Sequence, residues 1–393
     1  MPWSAPMSLE EERLHFISDW INGSFSYQEL ADRYNISRKT AYKWKNRFMD
    51  GGSGALSDMP RIPNSCPHKT PEEIVRVLLE KKKLHPSWGA KKLLPQLEGV
   101  FPETRLPSRA TICNILSRHG LVQHPRRRRK PGHPGAPISP MNEPNAVWCT
   151  DFKGEYKLRT GTYCYPLTLT DGFSRYLLCC RALRSVKQRG VFPVFEEIFR
   201  EYGLPDRIRM DNGAPFGTLA LARLSALSAW FIRLGIYPEY IEPGCPQQNG
   251  RHERMHRTLK AEATKPPESS FPRQQRRFDA FQREFNEERP HEGIGLVTPA
   301  SLYEKSLRTF PDRIPDIVYP SHFIERLVSG NGGIRFHTQR ILCSQVLAGL
   351  HVGMEELNHG IFNVYFGPVL FGKWIYGSNR IEGINNIKGR RKV

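Results

Sequence analysis

The chain has 393 residues, enough for several cores rather than one, since a single core rarely grows past about 250 residues. Its 58 Lys and Arg stand against 39 Asp and Glu, a formal charge of +19 with a pI near 9.7, which is the electrostatic footprint of a nucleic-acid partner. The sequence has no apolar run near the roughly 20 residues that span a bilayer, no signal-peptide pattern and no paired Cys-x-x-Cys spacing among its eight cysteines. These features argue against a membrane protein, a secreted disulfide scaffold and a zinc knuckle. The expected compartment is the cytoplasm, and the sequons at Asn22 and Asn35 then carry no meaning.

Residues 1–50 predict a small helical unit. Leu14, Ile17 and Ile21 recur at helical spacing, and Ser26 with Glu29 makes a capping box that opens a helix with Leu30, Ala31 and Tyr34 on its inner face. Ser37 caps a third helix in which Ala41, Trp44 and Phe48 point inward while Arg38, Lys39, Lys43 and Arg47 point outward. This is a helix-turn-helix pattern whose basic face suits the major groove; an ordinary three-helix bundle with a solvated charged face fits the same residues. Residues 51–69, rich in Gly, Ser and Pro, predict a linker.

Thr70, Pro71 and Glu73 open a second helical unit over 70–124. Ile74, Val77 and Leu78 form its first stripe, Leu93 and Leu94 lie on a further helix, and Ser108 caps a third that carries Ile112, Ile115 and Leu116 and stops at Gly120. It reads equally as a second helix-turn-helix or as a packing domain. Arg126, Arg127, Arg128, Arg129 and Lys130 then run into Pro131, Gly132, Pro134 and Gly135. Segment 125–144 is therefore expected to be an extended basic tether, able to lie along DNA phosphates whatever the bases.

From about 145 the texture turns to short β-rich runs at 147–152, 163–170 and 176–183, with the turn Asp171-Gly172 between the last two. A helix carrying Val194, Phe195, Ile198, Phe199 and Tyr202 comes next and is closed by Gly203 and Pro205. Then come a strand at 208–210, a helix over about 219–234, a strand near 237–241, and helices over about 249–263 and 274–287. This order predicts an α/β mixed sheet covered by helices. Beyond 306, short strands at 334–342, 349–352, 361–366 and 369–375 predict a small all-β domain to about 380, with a basic tail over 381–393. Gly367, Gly372 and Lys373 match the opening of a phosphate loop, but Trp374 stands where its Ser or Thr must be, so no ATP site is expected.

Cutting or rejoining a phosphodiester requires neutralised charge on the phosphate and an activated oxygen, which two hard cations about 4 Å apart supply. Such ions need carboxylates from separate elements. Asp151 ends the first strand of the mixed unit, Asp211 ends a later one, and Glu253 lies on a helix opened by Gln248, Asn249 and Gly250. Strand ends are where an open sheet presents side chains to a shared cleft. Singly, each acid reads as a turn residue or a surface ion-pair partner. Together, the segments WCTD (148–151), DNGAPF (211–216), CPQQNGRHERMHRTLK (245–260) and NEERPH (286–291), with Thr298, Pro299 and Ala300, resemble the integrase-core transposases of bacterial insertion sequences. The resemblance covers 145–305, and the helical front end and small β domain are similar in arrangement.

The resemblance implies a multidomain protein with N-terminal helix-turn-helix units, a ribonuclease-H-like core over 145–305 and a small all-β barrel at the back. Asp151, Asp211 and Glu253 match the family's catalytic, metal-binding acids, which hold two Mg²⁺ ions with Mn²⁺ as a substitute. The implied activity is DNA transposition: a cut at the transposon end frees a 3′ hydroxyl that attacks target DNA, without ATP, in a homo-oligomer on double-stranded DNA. On the helix of Glu253, Arg251, Arg254, Arg257 and Lys260 are candidate DNA contacts, Arg257 and Lys260 standing at i+4 and i+7 as phosphate ligands or as intrahelical ion-pair partners. His252 and His256 flank the acid and are assigned no catalytic part.

One departure concerns spacing: Asp211 and Glu253 are 42 positions apart (253 − 211), several more than is usual in the family. Either the Ala/Leu-rich stretch 219–234 absorbs the difference as an inserted helix, or Glu242 replaces Glu253. The His and Cys zinc module that opens retroviral integrases is missing, since Cys66 and His68 find no partner pair. Two competing classes are an inactive sequence-specific DNA-binding regulator and a hydrolytic ribonuclease-H-like nuclease. The intact acid set argues against the first, and the front-end recognition units against the second.

Overall fold

The computed structural model describes residues 8–59, 69–122, 138–218, 221–243 and 245–383, and the chain divides into two units, Met1–Pro71 and Glu72–Val393. The basic run Arg126, Arg127, Arg128, Arg129 and Lys130 lies outside the described residues, as does most of the C-terminal tail.

In the first unit each of three helices, α1 (Leu9–Ile21), α2 (Tyr27–Arg33) and α3 (Arg38–Gly51), starts at a serine cap. Ser8 with Glu11 and Ser26 with Glu29 form reciprocal boxes, and Ser37 accepts from the Thr40 amide, so orphan amide donors of each first turn are satisfied locally. Phe16, Ile17, Leu30, Ala31, Ala41 and Trp44 form the core. The expected stripe on α1 is displaced: Leu14 and Ile21 are exposed, and the buried face is Glu12, Arg13, Phe16 and Ile17. Arg13 belongs there because its guanidinium lies 3.9 Å from the Trp44 ring centre, donates to the Leu56 carbonyl and pairs with Asp58. The expected linker consequently begins folded, with a 3₁₀ turn over Ser53–Leu56 that buries Leu56. Arg38, Lys39 and Lys43 are exposed, and Arg47 is half-buried beside Trp44.

The second unit opens with α4 (Glu72–Leu84), α5 (Ala90–Val100) and α6 (Arg109–Arg118), closed around Ile74, Leu78, Trp88, Leu93, Ile112 and Leu116. These helices dock on the part of the same unit that lies between Glu262 and Glu292. Ser87 donates to Glu262, Lys91 pairs with Glu292 at 2.9 Å, and Gln96 donates to the Glu288 carbonyl. Buried Arg289 pairs with Glu262 and Glu284 while facing the Trp88 ring.

The mixed sheet is built from β1 (Val147–Phe152), β2 (Tyr156–Lys157), β3 (Tyr163–Asp171), β4 (Leu177–Leu183), β5 (Arg207–Met210) and β6 (Tyr237–Tyr240), in the order β2-β3-β1-β5-β6 with β4 also on β3. β3 is antiparallel to β1 and β4, whereas β5 is parallel to β1 and β6. Interleaved with these strands are α7 (Gln188–Tyr202) and α8 (Ala226–Arg233), and after them come α9 (Gly250–Glu262) and α10 (Phe271–Arg283). The apolar stripe of α7 packs with Phe231 of α8 in one core layer, and Met255, Leu259, Phe278 and Phe281 of α9 and α10 form another with Leu177 and Cys180. Stretch 219–234 is not one helix. A 3₁₀ turn at Leu221–Arg223, with Ala222 at φ 50°, precedes α8, which starts afresh at the Ser225 cap. The helix expected to reach 287 ends at Arg283 and passes into a π turn over Glu284–Glu288.

The C-terminal part holds β7 (Ile324–Leu327), β8 (Gly333–Phe336), β9 (Gln339–Leu342), β10 (His351–Asn358), β11 (Ile361–Phe366) and β12 (Val369–Ile375). The strand expected at 334–342 is a hairpin, reversed at His337 with φ 51°. The strands pair as two antiparallel sheets, β12-β11-β10-β7 and β8-β9, that share one core of Phe336, Ile341, Val352, Phe362, Phe371 and Trp374. They are not closed into a barrel, because only isolated bridges such as Leu342–Arg380 supplement the two ladders. Ala229 and Ile232 of α8 enter the same core. Among the described residues no helix is long and apolar enough to cross a membrane, and the described cysteines are free.

Candidate active site

Strand pairing brings the two aspartates together. β1 and β5 run parallel with Val147 opposite Arg207, Trp148 opposite Ile208 and Cys149 opposite Arg209. Two residues further along each chain stand Asp151 and Asp211, side by side where the strands end. The turn after β5 is fixed by its own side chains. The Gly213 amide donates to Asp211 Oδ1 at 3.2 Å, and Asn212 bridges from the Ile241 carbonyl to Arg223.

The approach to α9 is anchored from below. Arg209, buried on β5 and paired with Glu239 of β6, donates to the Gln248 carbonyl, while the Gln248 side chain accepts from the Glu242 amide. α9 then continues from a 3₁₀ turn over Pro246–Asn249 and carries Glu253, exposed, in its first turn. Its inner face is held by imidazole–hydroxyl contacts. His252 and His256 each place Nε2 within 2.8 Å of Thr168 Oγ1, and His252 Nδ1 lies 2.8 Å from Thr170 Oγ1. The histidines flanking Glu253 therefore fasten the helix to β3. Burial holds both neutral, driving His256 down to about 3 and His252 well below its ordinary range.

The electrostatics place the acids in one neighbourhood. Asp151 is pushed up to about 7, first by burial and then by the Asp211 carboxylate, with a smaller push from Glu253. Burial also raises Asp211. Glu242 is exposed in its turn, where its amide donates to the Gln248 side chain. Lys153 faces the same site. Its ammonium is destabilised by burial and by Lys260, and is stabilised by Asp151. His256 Nδ1 stands 3.7 Å from Asp151 Oδ2.

Among the described residues no three His, Cys, Asp or Glu side chains are gathered as ligands about one point. The donor chemistry still fits a hard divalent cation. The three acids offer oxygens only, the adjacent imidazoles are neutral and turned to threonines, and Asp151, raised first by burial and then by the Asp211 carboxylate, is a buried carboxyl beside a second acid that a cation would neutralise. Arg251 donates to the Gly172 carbonyl at 2.8 Å, and Arg254, Arg257 and Lys260 are exposed along α9. Sequence reasoning missed Lys153, Thr168, Thr170 and Arg209. The legible signal was polarity out of place, namely hydroxyls and a guanidinium in strands that otherwise read as buried.

Two family models described as "Integrase core domain" match residues 141–246 and 234–299, and two described as "Homeodomain-like domain" match 7–57 and 40–116. The chain is 25% identical over 227 residues to an uncharacterized 39.2 kDa protein of insertion element IS476 from Xanthomonas euvesicatoria, covering 57% of this chain and 63% of that protein. It is 34% identical over 125 residues to the Pol polyprotein of feline endogenous virus ECE1, covering 32% of this chain and 11% of that one. The chain thus spans less than two thirds of either relative. A solved structure of the HTLV-2 integrase catalytic core domain in complex with magnesium aligns over 41% of this chain and 98% of that one, with 16% identity and a TM-score of 0.33. Residues 141–299 therefore match integrase core domain models, and residues 7–116, ahead of them, match homeodomain-like ones.

Proposed function

We propose that this protein is a DNA transposase that binds the ends of its element, cuts them and joins them to target DNA. The observation that carries the reading is the set Asp151, Asp211 and Glu253, drawn from two adjacent parallel strands and a helix into one electrostatic neighbourhood inside an integrase core domain. In this reading the three carboxylates hold divalent metal, Mg²⁺ in the cell, with Glu253 preferred to Glu242. When bound, the metal supplies charge neutralisation at the phosphate and a more acidic water or hydroxyl nucleophile.

The chain's own residues do the rest. Lys153 and Lys260 neutralise phosphate beside the acids, Arg257 extends that contact along α9, and the anchored Gln248 carbonyl fixes how α9 enters the cleft. The homeodomain-like units, with Arg38, Lys39, Lys43 and Arg47 on the outer face of α3, read the element's ends. The tether at 126–130 holds phosphate without regard to sequence. The two C-terminal sheets, packed over one core, add DNA or subunit contacts. Two ends must meet in one complex, so a homo-oligomer on double-stranded DNA is the working form.

The test is a Mg²⁺-dependent cleavage and strand-joining assay on the DNA flanking the chain's own coding sequence, with wild type beside Asp211→Asn. Joined products that vanish in the variant support the reading. Binding of those ends without cutting or joining by wild type, under Mg²⁺ or Mn²⁺, sinks it in favour of a DNA-binding regulator.

A further inference from the structure

A cavity of about 680 Å³ opens between α5, α9, the end of β3 and the segment after α10, and none of Asp151, Asp211 and Glu253 lines it. Its walls carry Lys92, Arg175, Arg251, Arg254 and Arg257. Two of these guanidinium groups converge on a single acceptor: Arg175 and Arg251 both donate to the Gly172 carbonyl, at 3.0 and 2.8 Å. Arg175 is aimed there from a turn in which its own φ is 69°. The acids at the rim are already engaged. Asp171 accepts from the Asn145 and Ser174 amides and the Ser174 hydroxyl, and Glu292 pairs with Lys91. A sixth lining cation, Arg289, pairs with Glu262 and Glu284, whereas among the described residues none of the other five has a carboxylate partner within ion-pair distance.

Burial and mutual repulsion both weaken cations gathered in this way. Arg175 is brought down to about 10, by burial first and then by Arg251 and Arg254, and Lys92 to about 8, by burial first and then by Arg289. Guanidinium forks match phosphate oxygens two at a time, and an ammonium adds a point charge. We propose that this cavity binds two or more phosphate groups, held jointly by the second helical unit and the integrase core. Its occupant is DNA backbone, an identification that rests on the function proposed above; the phosphate chemistry itself does not.

The experiment uses the full chain and compares wild type with Lys92→Gln, with Lys92→Gln/Arg175→Gln, and with Arg175→Lys. DNA affinity is measured across a KCl series, and thermal stability is measured with inorganic pyrophosphate. Each lost phosphate contact is expected to flatten the slope of log affinity against log salt by about 0.9. The double variant should therefore lose nearly two units of slope, Lys92→Gln about one, and Arg175→Lys almost none. Lys92→Gln removes an unpaired, half-buried cation and should fold at least as well as wild type, so it decides the matter if the double variant does not fold. Wild-type slopes in these variants, with a pyrophosphate-induced rise in melting temperature that Lys92→Gln abolishes, assign the site to a free phosphate compound. Wild-type slopes and a wild-type pyrophosphate response together overturn the proposal. A flattened slope in a protein that never joins strands leaves the site standing and removes the transposase reading instead.

Discussion

Replacing Thr168 by valine keeps the shape of the side chain and removes one hydroxyl, which donates to the Asp151 carbonyl at 3.0 Å and accepts from two imidazoles. A hydroxyl carries a single proton, so once it is given to the carbonyl both histidines must donate from Nε2, and His252 Nδ1 is left to accept from Thr170. Thr168, His252 and His256 are all buried, at 0%, 1% and 6% exposure, so water cannot replace the lost partner. Two orphaned N–H donors at about 1–3 kcal/mol each give an expected loss of roughly 2–6 kcal/mol. At about 2–4 °C per kcal/mol for a unit of this size, the melting temperature should fall by about 4–24 °C. Thr168→Ser keeps the hydroxyl and gives up a methyl group, about 1 kcal/mol. Thermal and urea melts of both variants, with ¹⁵N chemical shifts of the imidazoles in wild type, form the assay. A valine variant melting within about 2 °C of the serine variant would refute the hub, as would an Nδ1–H tautomer at either histidine.

The buried histidines should make the fold sensitive to acid. His252, His256 and His291 are held neutral, with folded pKa values below the unfolded value of about 6.5, so their stabilisation is present above that pH and is lost as pH falls. Asp151 works in the opposite sense in metal-free protein. Its folded value of about 7 favours the fold below the unfolded value of about 3.9, and that benefit is lost as pH rises through 7. Asp171, Asp211 and Glu284 are raised by burial in the same sense as Asp151, so the acid-side loss belongs to the histidines alone, and an imidazole NMR titration showing His256 or His291 protonated at about pH 5 in the folded protein would contradict the burial argument. Glu253→Gln should lower strand joining by at least about 10²-fold, with Glu242→Gln near wild type, and the reverse order would transfer the third acid to Glu242. Chelating divalent metal should abolish joining but leave filter-binding of DNA intact; loss of both would show that metal supports the fold. Arg289→Met leaves Glu262 and Glu284 without their buried partner and should cost about 3–5 kcal/mol in urea melts, with faster proteolysis of residues 72–122.

The sequence is legible wherever the signal is local. Serine caps placed the starts of α2, α3 and α6, and β-rich runs ending in Asp151 and Asp211 marked the strands that meet. It misleads where a distant partner reassigns a face. Leu14 and Ile21 look like core until Trp44 and Asp58 draw Arg13 inward and rotate the buried stripe of α1. The long interval before Glu253 looked like a lengthened helix, yet α8 is short and serves two cores at once: Leu227 and Phe231 face the sheet, while Ala229 and Ile232 face the β domain. The basic cavity was illegible because Lys92 and Arg175 come from segments with no common period.

α9 shows why polar packing sits beneath this site. Met255 and Leu259 give the helix an apolar footing, but apolar contact is non-directional and tolerates small slides and rotations. A catalytic acid must hold its place within about 0.5 Å, and hydrogen bonds from His252 and His256 to one hydroxyl supply the direction that methyl groups cannot. The neutrality of those imidazoles matters equally. A charged His256, 3.7 Å from the Asp151 carboxylate, would compete for the place of a cation; burial keeps it neutral down to about pH 3. The helix is thus fixed by groups that leave the charge of Asp151 free. Its outward face carries Glu253 close to Arg257 of the phosphate cavity, one turn away, so a shift of α9 would disturb both sites together.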